Sequence, residues 1–218
     1  MDRRAWVTER RRIHEHRMDQ MFAPIYDEEW GREISQSHQH MVEEFLSLLP
    51  PQACILDAAC GTGKYWPLLL RDGRSVVGVD QSAGMLERAR VKFPCVACRK
   101  LGLQELPFAG EFDGITCIDA MENVAPEDWM PVLGNFAAAL RSGGTLYLTV
   151  ELAPDDLPAV QEAARHAGLP VVDGEYVTEW YHYYPSLDQV RQCLRDSGFQ
   201  ILRDAIGDEY AHFISRRQ

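Results

Sequence analysis

The chain has 218 residues, of which 46% are hydrophobic and 25% are charged, and its formal net charge is −11. This composition is typical of a globular domain with its own core and excludes a disordered chain. The acidic balance argues against nucleic acid as a partner, because phosphate neutralisation supplies most of that affinity. No apolar run approaches the roughly 20 residues needed to span a bilayer, and the first residues lack the apolar segment of a secretory signal. The sequence therefore predicts a cytoplasmic protein that needs no membrane.

The six cysteines are expected to be reduced thiols in that compartment. Cys95 and Cys98 have the spacing of half a zinc site, but no second pair with this spacing follows. A structural zinc site needs four ligands. We therefore expect no metal.

Residues 1–50 show a helical pattern, because apolar residues recur at steps of three and four from Met18 to Leu49. Pro24 and Gly31 divide this segment, and Pro50-Pro51 ends it. We expect residues 1–50 to form a helical N-terminal cap or lid. The arginines concentrated in residues 3–17 predict an exposed helix face, with contact to an anionic substrate as the open alternative.

From residue 53 onward, strands and helices alternate. The predicted strands are residues 53–57, 75–80, 95–99, 112–118 and 145–151, and the predicted helices between them are residues 64–72, 83–93 and 126–140. This order predicts an open α/β sheet, since parallel strands need such crossovers. Residues 155–167 and 186–198 are predicted helices, residues 174–184 an extended aromatic cover, and residues 199–205 and 211–215 a closing antiparallel strand pair. We expect one domain over residues 51–218, with residues 152–185 covering the substrate.

The loop after the first predicted strand carries the strongest functional pattern. Gly61 and Gly63 allow positive φ and close approach of the backbone to a ligand. A second strand then ends in Asp80, so two strands of a parallel sheet end in polar groups at the same edge. Ligands of such sheets bind at that edge. The sequence therefore predicts a nucleoside-binding cleft.

The residues around this loop discriminate between two ligands. A dinucleotide site wants a third glycine three residues after Gly63, and position 66 is Trp. Asp57, at the mouth of the loop, would repel a pyrophosphate but attract an ammonium group. Asp80 suits either ligand, as an acceptor for two ribose hydroxyls. The pattern favours a nucleoside with a cationic amino-acid tail.

Several motifs, in order, resemble those of the class I S-adenosylmethionine-dependent methyltransferases. Asp57-Ala-Ala59-Cys-Gly61-Thr-Gly63 resembles the first motif, and Val76-Val-Gly-Val-Asp80-Gln-Ser-Ala-Gly-Met-Leu86 the second. Gln104-Glu-Leu-Pro-Phe108, Glu111-Phe-Asp-Gly-Ile115 and Leu140-Arg-Ser-Gly-Gly-Thr-Leu-Tyr-Leu148 resemble the later ones. The resemblance covers roughly residues 40–215. It implies a Rossmann-like, mostly parallel sheet of seven strands with helices on both faces.

The resemblance also implies a cofactor, S-adenosylmethionine, and positions that bind it. The loop backbone and Asp57 would hold the methionine part, Asp80 the ribose, and the residues after each later strand the adenine and the sulfonium side. The implied cofactor-binding residues are Asp57, Ala59, Gly61, Gly63, Asp80, Gln81, Met85, Leu103, Gln104, Ile118 and Asp119.

Two positions depart from the family pattern. Ala59 stands where the first glycine of the loop motif is usual. Gly102 stands where many members carry an acid that accepts from the adenine amino group. The adenine contact then falls to the backbone or to Gln104.

The residues that bind the methyl acceptor are harder to predict from the sequence. Glu122 and Asn123 follow the fourth predicted strand at the ligand edge, where Glu122 is a candidate to orient or deprotonate an acceptor; the alternative is a surface carboxylate. His182 is a candidate base within an aromatic run, since histidine titrates near neutral pH; the alternative is a structural role. The candidate substrate-binding residues are Tyr26, Trp30, Asn123, Tyr181 and Tyr183, for which plain packing is the alternative.

The sequence thus predicts an enzyme that methylates a small molecule at an O, N, C or S atom that the sequence does not specify. The first alternative is a subunit that binds S-adenosylmethionine without activity. The second is a nicotinamide-dependent oxidoreductase, disfavoured by Trp66 and Asp57. Monomer and homodimer remain open.

Overall fold

The computed structural model of the chain describes residues 2–218. Within them, the strands are β1 (Cys54–Ala58), β2 (Ser75–Asp80), β3 (Ala97–Lys100), β4 (Phe112–Cys117), β5 (Leu140–Glu151), β6 (Glu175–Val177), β7 (Tyr181–Tyr183), β8 (Phe199–Gly207) and β9 (Tyr210–Arg217). The α-helices are α1 (Arg3–Arg17), α2 (Tyr26–Glu29), α3 (Gln36–Ser47), α4 (Trp66–Leu69), α5 (Ala83–Lys92), α6 (Pro126–Ala139), α7 (Leu157–His166) and α8 (Leu187–Asp196).

Seven strands form one sheet in the order β3-β2-β1-β4-β5-β9-β8. The first five pair in parallel, and β9 runs antiparallel to both β5 and β8. The open, mostly parallel sheet with an antiparallel pair at its C-terminal edge confirms the predicted fold. The strand order reverses between β1 and β4, which is where such sheets open a crevice for ligands.

Helices cover both faces of this sheet. On one face α3, α4 and α5 bury Phe45, Trp66 and Leu86 against Ile55. On the other face, the buried side chains of α6 and α8 meet Leu56. Successive residues of β1 therefore enter opposite cores, as the alternation of a strand requires. A strand buried on both faces reads as a continuous apolar run, which is the pattern that predicted it.

The structure changes the bounds of two predicted helices. The helix after the glycine loop is one short turn, α4, followed by a 3₁₀ turn in which Asp72 has φ +59°. Helix α6 ends at Ala139, because Leu140 already pairs with Phe112 of β4 and is fully buried. Residues 141–144, which lie between the predicted helix and the predicted strand, therefore belong with Leu140 to the first part of β5.

The N-terminal segment divides between cap and core. Helix α3 buries Met41, Val42 and Phe45 in the same core as β1, so it is part of the sheet domain and not of a separate cap. Helix α1 buries only Trp6 among its residues and lies over the edge of the sheet where the strands end. The cap proper is thus α1 to α2.

Strands β6 and β7 form a two-stranded antiparallel hairpin that joins the cap. Glu175 is fully buried and accepts two bonds of 2.7 Å from the guanidinium of Arg3. Tyr181 donates to the same carboxylate at 2.5 Å and packs edge-on against Trp6. A buried carboxylate needs a charged partner, so this contact fixes the start of α1 on the hairpin.

Candidate functional site

A cleft opens at the carboxyl ends of β1, β2 and β4, beneath α1 and α2. It is lined by residues of α1, of α2, of the loop after β1 and of the segments that follow β2 and β4. Its lining includes ten of the eleven predicted cofactor residues, namely Asp57, Ala59, Gly61, Asp80, Gln81, Met85, Leu103, Gln104, Ile118 and Asp119. The structure thus brings residues from five separate segments to one site.

The loop after β1 is shaped by left-handed backbone conformations. Gly61 has φ +53°, and a Cβ built on it would meet no protein atom within 4 Å, so its backbone faces open cleft. Ala59 has φ +62°, a conformation that costs a residue with a Cβ about 1–2 kcal/mol. This explains why glycine is usual at position 59 and why alanine is still accommodated there.

Gly63 has a different role. Its φ is +81°, and a Cβ there would lie 2.7 Å from the indole of Trp66. The fully buried Trp66 therefore requires glycine at position 63. We do not retain Gly63 as a ligand contact, because it faces the indole.

Trp66 in turn positions Asp57. Its Nε1 donates to Oδ2 of Asp57 at 2.8 Å, and Thr116 donates to Oδ1 at 2.7 Å. Burial raises the pKa of Asp57 to about 6, against these two hydrogen bonds. A Cβ at Gly78 would lie 2.5 Å from the same indole, so β2 also leaves room for it. Sequence reasoning used position 66 only to exclude a third glycine and missed this support.

Asp80 is the last residue of β2, and its carboxylate connects the loop after β1 with the turn before α5. Its Oδ2 accepts from the backbone N–H of Gly61 and its Oδ1 from that of Ser82, both at 2.8 Å. Burial raises its pKa to about 6. Each oxygen keeps a free lone pair for a ligand hydroxyl.

Beyond Asp80, the cleft wall is apolar and then polar again. Met85 is 1% exposed and Leu103 is 8% exposed. Gln104 donates from Nε2 to Asp128 at 3.1 Å, which leaves its Oε1 free on the cleft side. The wall thus offers an apolar slot that ends in an amide acceptor.

On the opposite side, Asp119 follows β4 with φ +52°. Its backbone N–H donates to Thr149 Oγ1 at 2.8 Å, and its Oδ1 lies 3.1 Å from Nε2 of the buried His38. His38 comes from α3 and also contacts Ser35 through Nδ1 at 2.9 Å. Asp119 is therefore held in place by two elements of the sheet domain.

Glu122 lies in a 3₁₀ turn directly after this strand and is 6% exposed. Its Oε1 accepts from Asn123 at 2.9 Å, whereas within residues 2–218 its Oε2 has no hydrogen-bond partner. Burial raises its pKa to about 8, and the charges of Asp119 and Glu151 add to that effect. Asn123 lines the cleft, whereas Glu122 is not among the lining residues.

His182 belongs to a polar cluster next to Glu122. Its Nδ1 lies 2.9 Å from the Tyr184 hydroxyl, which donates to Glu151 at 3.2 Å. Burial lowers the pKa of His182, so the imidazole is neutral at pH 7. A neutral imidazole can accept a proton.

The four predicted aromatic contacts have different positions. Tyr26 lines the cleft. Trp30 is 46% exposed and stacks on Phe22 with a centroid distance of 5.3 Å. Tyr181 is engaged by Glu175, and Tyr183 packs edge-on against Trp129 at 5.8 Å. We retain Tyr26 alone as a substrate-side candidate, because the other three rings pack against protein.

Sequence reasoning predicted a cap or lid in residues 1–50 but did not identify which of its side chains line the cleft. Arg11 and His14 of α1, and Met18 directly after it, are among the lining residues. Burial lowers the pKa of His14 to about 4. The described part of the chain, residues 2–218, shows no cluster of three metal-ligating side chains and no helix long and apolar enough to cross a bilayer.

Similarity to known proteins follows the same segments. Residues 55–144 match the family model of a methyltransferase domain. A ubiquinone biosynthesis O-methyltransferase of Xanthomonas axonopodis is 25% identical over 94% of this chain and 88% of its own length. A demethylmenaquinone methyltransferase of Beutenbergia cavernae is 35% identical over 44% of this chain and 40% of its own length.

Solved structures show the same fold. A magnesium protoporphyrin IX methyltransferase of Synechocystis, with bound S-adenosylhomocysteine, superposes with a TM-score of 0.69 at 18% identity, covering 95% of this chain and 99% of that one. A 1,6-didemethyltoxoflavin N1-methyltransferase of Burkholderia thailandensis gives a TM-score of 0.67 at 17% identity, covering 97% and 90%.

Proposed function

This chain belongs to the class I S-adenosylmethionine-dependent methyltransferases, and we propose that its cleft catalyses transfer of the methyl group to a small-molecule acceptor. The observation that carries the proposal is the empty space in front of Gly61, beside two carboxylates at neighbouring strand ends. When bound, S-adenosylmethionine supplies an electrophilic methyl group on a positively charged sulfur.

The residues of the cleft fit this cofactor. Asp57 and Asp80 are both buried enough to raise their pKa values to about 6. A ligand ammonium group and ribose hydroxyls would relieve this cost, because they supply positive charge and donors. The methionine part would lie on the backbone of residues 59–61, the ribose at Asp80, and the adenine between Gln81, Met85, Leu103 and Gln104.

The carboxylate of Asp57 argues against a nicotinamide dinucleotide. A pyrophosphate carries negative charge and would be repelled by Asp57 at the mouth of the loop, whereas Asp80 suits the ribose of either ligand. The space that a third glycine would leave is filled by the Trp66 indole. We therefore rank a nicotinamide-dependent oxidoreductase last.

The proposal of a small acceptor rests on the cover and on the relatives. The cap and the hairpin close over the cleft through Arg3 and Glu175, which leaves room for a small molecule beneath them. The names of the relatives refer to the biosynthesis of ubiquinone, to magnesium protoporphyrin IX and to 1,6-didemethyltoxoflavin. All three compounds are small molecules.

For the acceptor, we propose Glu122 as the proton acceptor, with Asn123 orienting it. Burial raises the pKa of this carboxyl to about 8, so the ionised form that accepts a proton is the minor form at pH 7 and increases as the pH rises toward 8. His182 is the second candidate base, because burial lowers its pKa and favours the neutral imidazole. Tyr26, which belongs to α2 and lines the cleft, would close the cleft on the side where the methyl acceptor binds.

Gly61→Val tests the proposal, with Gly110→Val as the control. Both glycines have positive φ, +53° and +65°, and at both a Cβ would meet no atom within 4 Å. Only Gly61 faces the cleft, so the two variants share the backbone strain but differ at the ligand. We expect calorimetric binding of S-adenosylhomocysteine to be lost in Gly61→Val and kept in Gly110→Val.

Two outcomes would change the assignment. Wild-type protein that fails to bind S-adenosylhomocysteine at millimolar concentration would overturn it. Binding without methyl transfer to any member of a broad acceptor panel would favour a non-catalytic binding subunit.

A further inference from the structure

A carboxylate of the cap holds the turn between β2 and α5. Asp19 lies in the π-helical turn Met18–Phe22, which follows α1. Its Oδ1 accepts from Oγ of Ser82 at 2.6 Å and from the backbone N–H of Gly84 at 2.9 Å. Ser82 is the N-cap of α5, whose first turn contains no acidic residue. Asp19 therefore supplies, from the cap, the negative charge that favours the start of this helix.

A second carboxylate of the cap holds the loop after β1. Oδ1 of Asp27, in α2, accepts from Oγ1 of Thr62 at 2.6 Å. Lys92, the last residue of α5, donates to the same Oδ1 at 2.6 Å and to Oγ1 of Thr62 at 2.9 Å. Thr62 is fully buried and directly follows Gly61, whose backbone faces the cleft. The loop is thus fixed from behind, next to the backbone that faces a ligand.

Asp80 connects these two contacts. Its oxygens accept from the backbone N–H groups of Gly61 and Ser82, both at 2.8 Å. Thr62, the neighbour of Gly61, and Ser82 itself are bound in turn by the two cap carboxylates. A chain of hydrogen bonds therefore begins and ends on the cap, with the proposed ribose-binding residue at its centre. Neither cap carboxylate is among the residues that line the cleft.

We propose that Asp19 and Asp27 are positioning residues of the cofactor site. Asp27 acts through Thr62 on the loop that would receive the methionine part. Asp19 acts through Ser82 on the turn beside the ribose. Loops that are already fixed in the binding conformation lose less conformational entropy when a ligand binds, so these contacts raise its affinity.

This inference rests on the proposed function, because it uses the placement of the methionine part at residues 59–61 and of the ribose at the end of β2. It assigns a role to residues outside the matched methyltransferase domain, which begins at residue 55. The two carboxylates have different targets, so their removal should affect different parts of the ligand.

Calorimetry with two ligands tests this division. The probes are S-adenosylhomocysteine and methylthioadenosine, which keeps the adenine and the ribose but lacks the amino-acid tail. We expect Asp27→Ala to weaken S-adenosylhomocysteine by about tenfold and methylthioadenosine by less than about threefold. We expect Asp19→Ala to weaken both ligands by about tenfold, because both contain the ribose.

Conservative variants separate this role from a general loss of structure. Asp19→Asn and Asp27→Asn keep an oxygen acceptor at each position, so both should bind both ligands within about threefold of wild type. Glu28→Ala is the matched control, because Glu28 is exposed on the same helix as Asp27, and its affinities should equal those of wild type. Each titration is carried out below the temperature at which that variant begins to unfold, so that only folded protein is compared.

A double-mutant cycle tests whether Asp27 acts through Thr62. Thr62→Val removes the hydroxyl group and keeps a branched side chain. Because Asp27→Ala and Thr62→Val break the same contact, the double variant should bind S-adenosylhomocysteine within about threefold of the weaker single variant.

Three results would overturn the inference. One is wild-type affinity for S-adenosylhomocysteine in folded Asp19→Ala and Asp27→Ala. Another is an equal loss of both ligands in Asp27→Ala, which would show that the cap acts only as a cover over the whole cleft. The third is a double variant whose loss is the product of the two single losses. Wild-type protein that binds neither ligand would instead overturn the proposed function itself.

Discussion

Glu122→Gln provides a test of the buried carboxyl group that is independent of any substrate. Burial raises the pKa of Glu122 from 4.5 to about 8 in the folded protein. Between these two values the folded state holds a proton that the unfolded state has released. The stability that this group contributes is therefore complete below pH 4.5 and is lost as the pH rises through 8. Glutamine is neutral throughout and keeps an acceptor for Asn123.

The magnitude follows from the size of the shift. A gap from 4.5 to about 8 corresponds to about 5 kcal/mol at 1.36 kcal/mol per pH unit. Water entry and relaxation reduce the cost of a buried charge, so we expect an advantage of about 2–5 kcal/mol for the variant above pH 9 and little difference at pH 5.

The assay is urea unfolding of wild type and variant between pH 5 and 9.5. The relevant quantity is the difference in the free energy of unfolding between wild type and Glu122→Gln at each pH. This difference removes the pH-dependent contributions of Asp57 and Asp80, which are common to both proteins. Glu111→Gln is the control, because Glu111 is exposed and its curve should stay parallel to wild type. If the Glu122→Gln difference is flat over this range, Glu122 titrates as an ordinary surface acid and the reasoning fails.

Two further predictions concern the same cleft. Trp66→Phe should lower the free energy of unfolding by about 2–4 kcal/mol, because it leaves Oδ2 of the buried Asp57 without its donor and opens a void. If urea unfolding shows a change below about 0.5 kcal/mol, the hydrogen bond from the indole is dispensable. Glu122→Gln should also reduce kcat for methyl transfer while leaving the affinity for S-adenosylhomocysteine within about twofold, and an unchanged kcat would remove Glu122 from the chemistry.

The sheet and the meeting of its loops at one cleft were predictable because they depend on local pattern. Continuous apolar runs that end in Asp57 and Asp80 identify strands buried on both faces and place their carboxylates at one edge. The glycine pattern identifies the loop between them. Each of these signals lies within about 30 residues of chain, where periodicity and turn chemistry are informative.

Other features depend on contacts between distant segments and could not be read from pattern. Helix α6 ends at Ala139 because Leu140 pairs with Phe112 of β4 in the sheet. Tyr181 is tied to Glu175, and Glu175 to Arg3, which is 172 residues away in sequence. Local propensity does not register such tertiary demands, which override it at element ends.

Position 102 shows how a departure from a motif becomes interpretable only in the structure. From sequence alone, Gly102 is a missing acid. In the structure it is the space that Arg11 needs. Local pattern could not pair Arg11 with Gly102, because the two residues lie far apart in the chain.

The binding of S-adenosylhomocysteine to wild type and to Asp80→Ala tests the central claim most directly. Asp173→Ala is the control, since the Asp173 side chain is 96% exposed. We predict that wild type and Asp173→Ala bind the ligand equally in calorimetry, and that the folded Asp80→Ala variant binds at least about tenfold more weakly, having lost a charged acceptor for the ribose hydroxyls. Equal affinity in all three proteins would contradict the placement of the cofactor in this cleft.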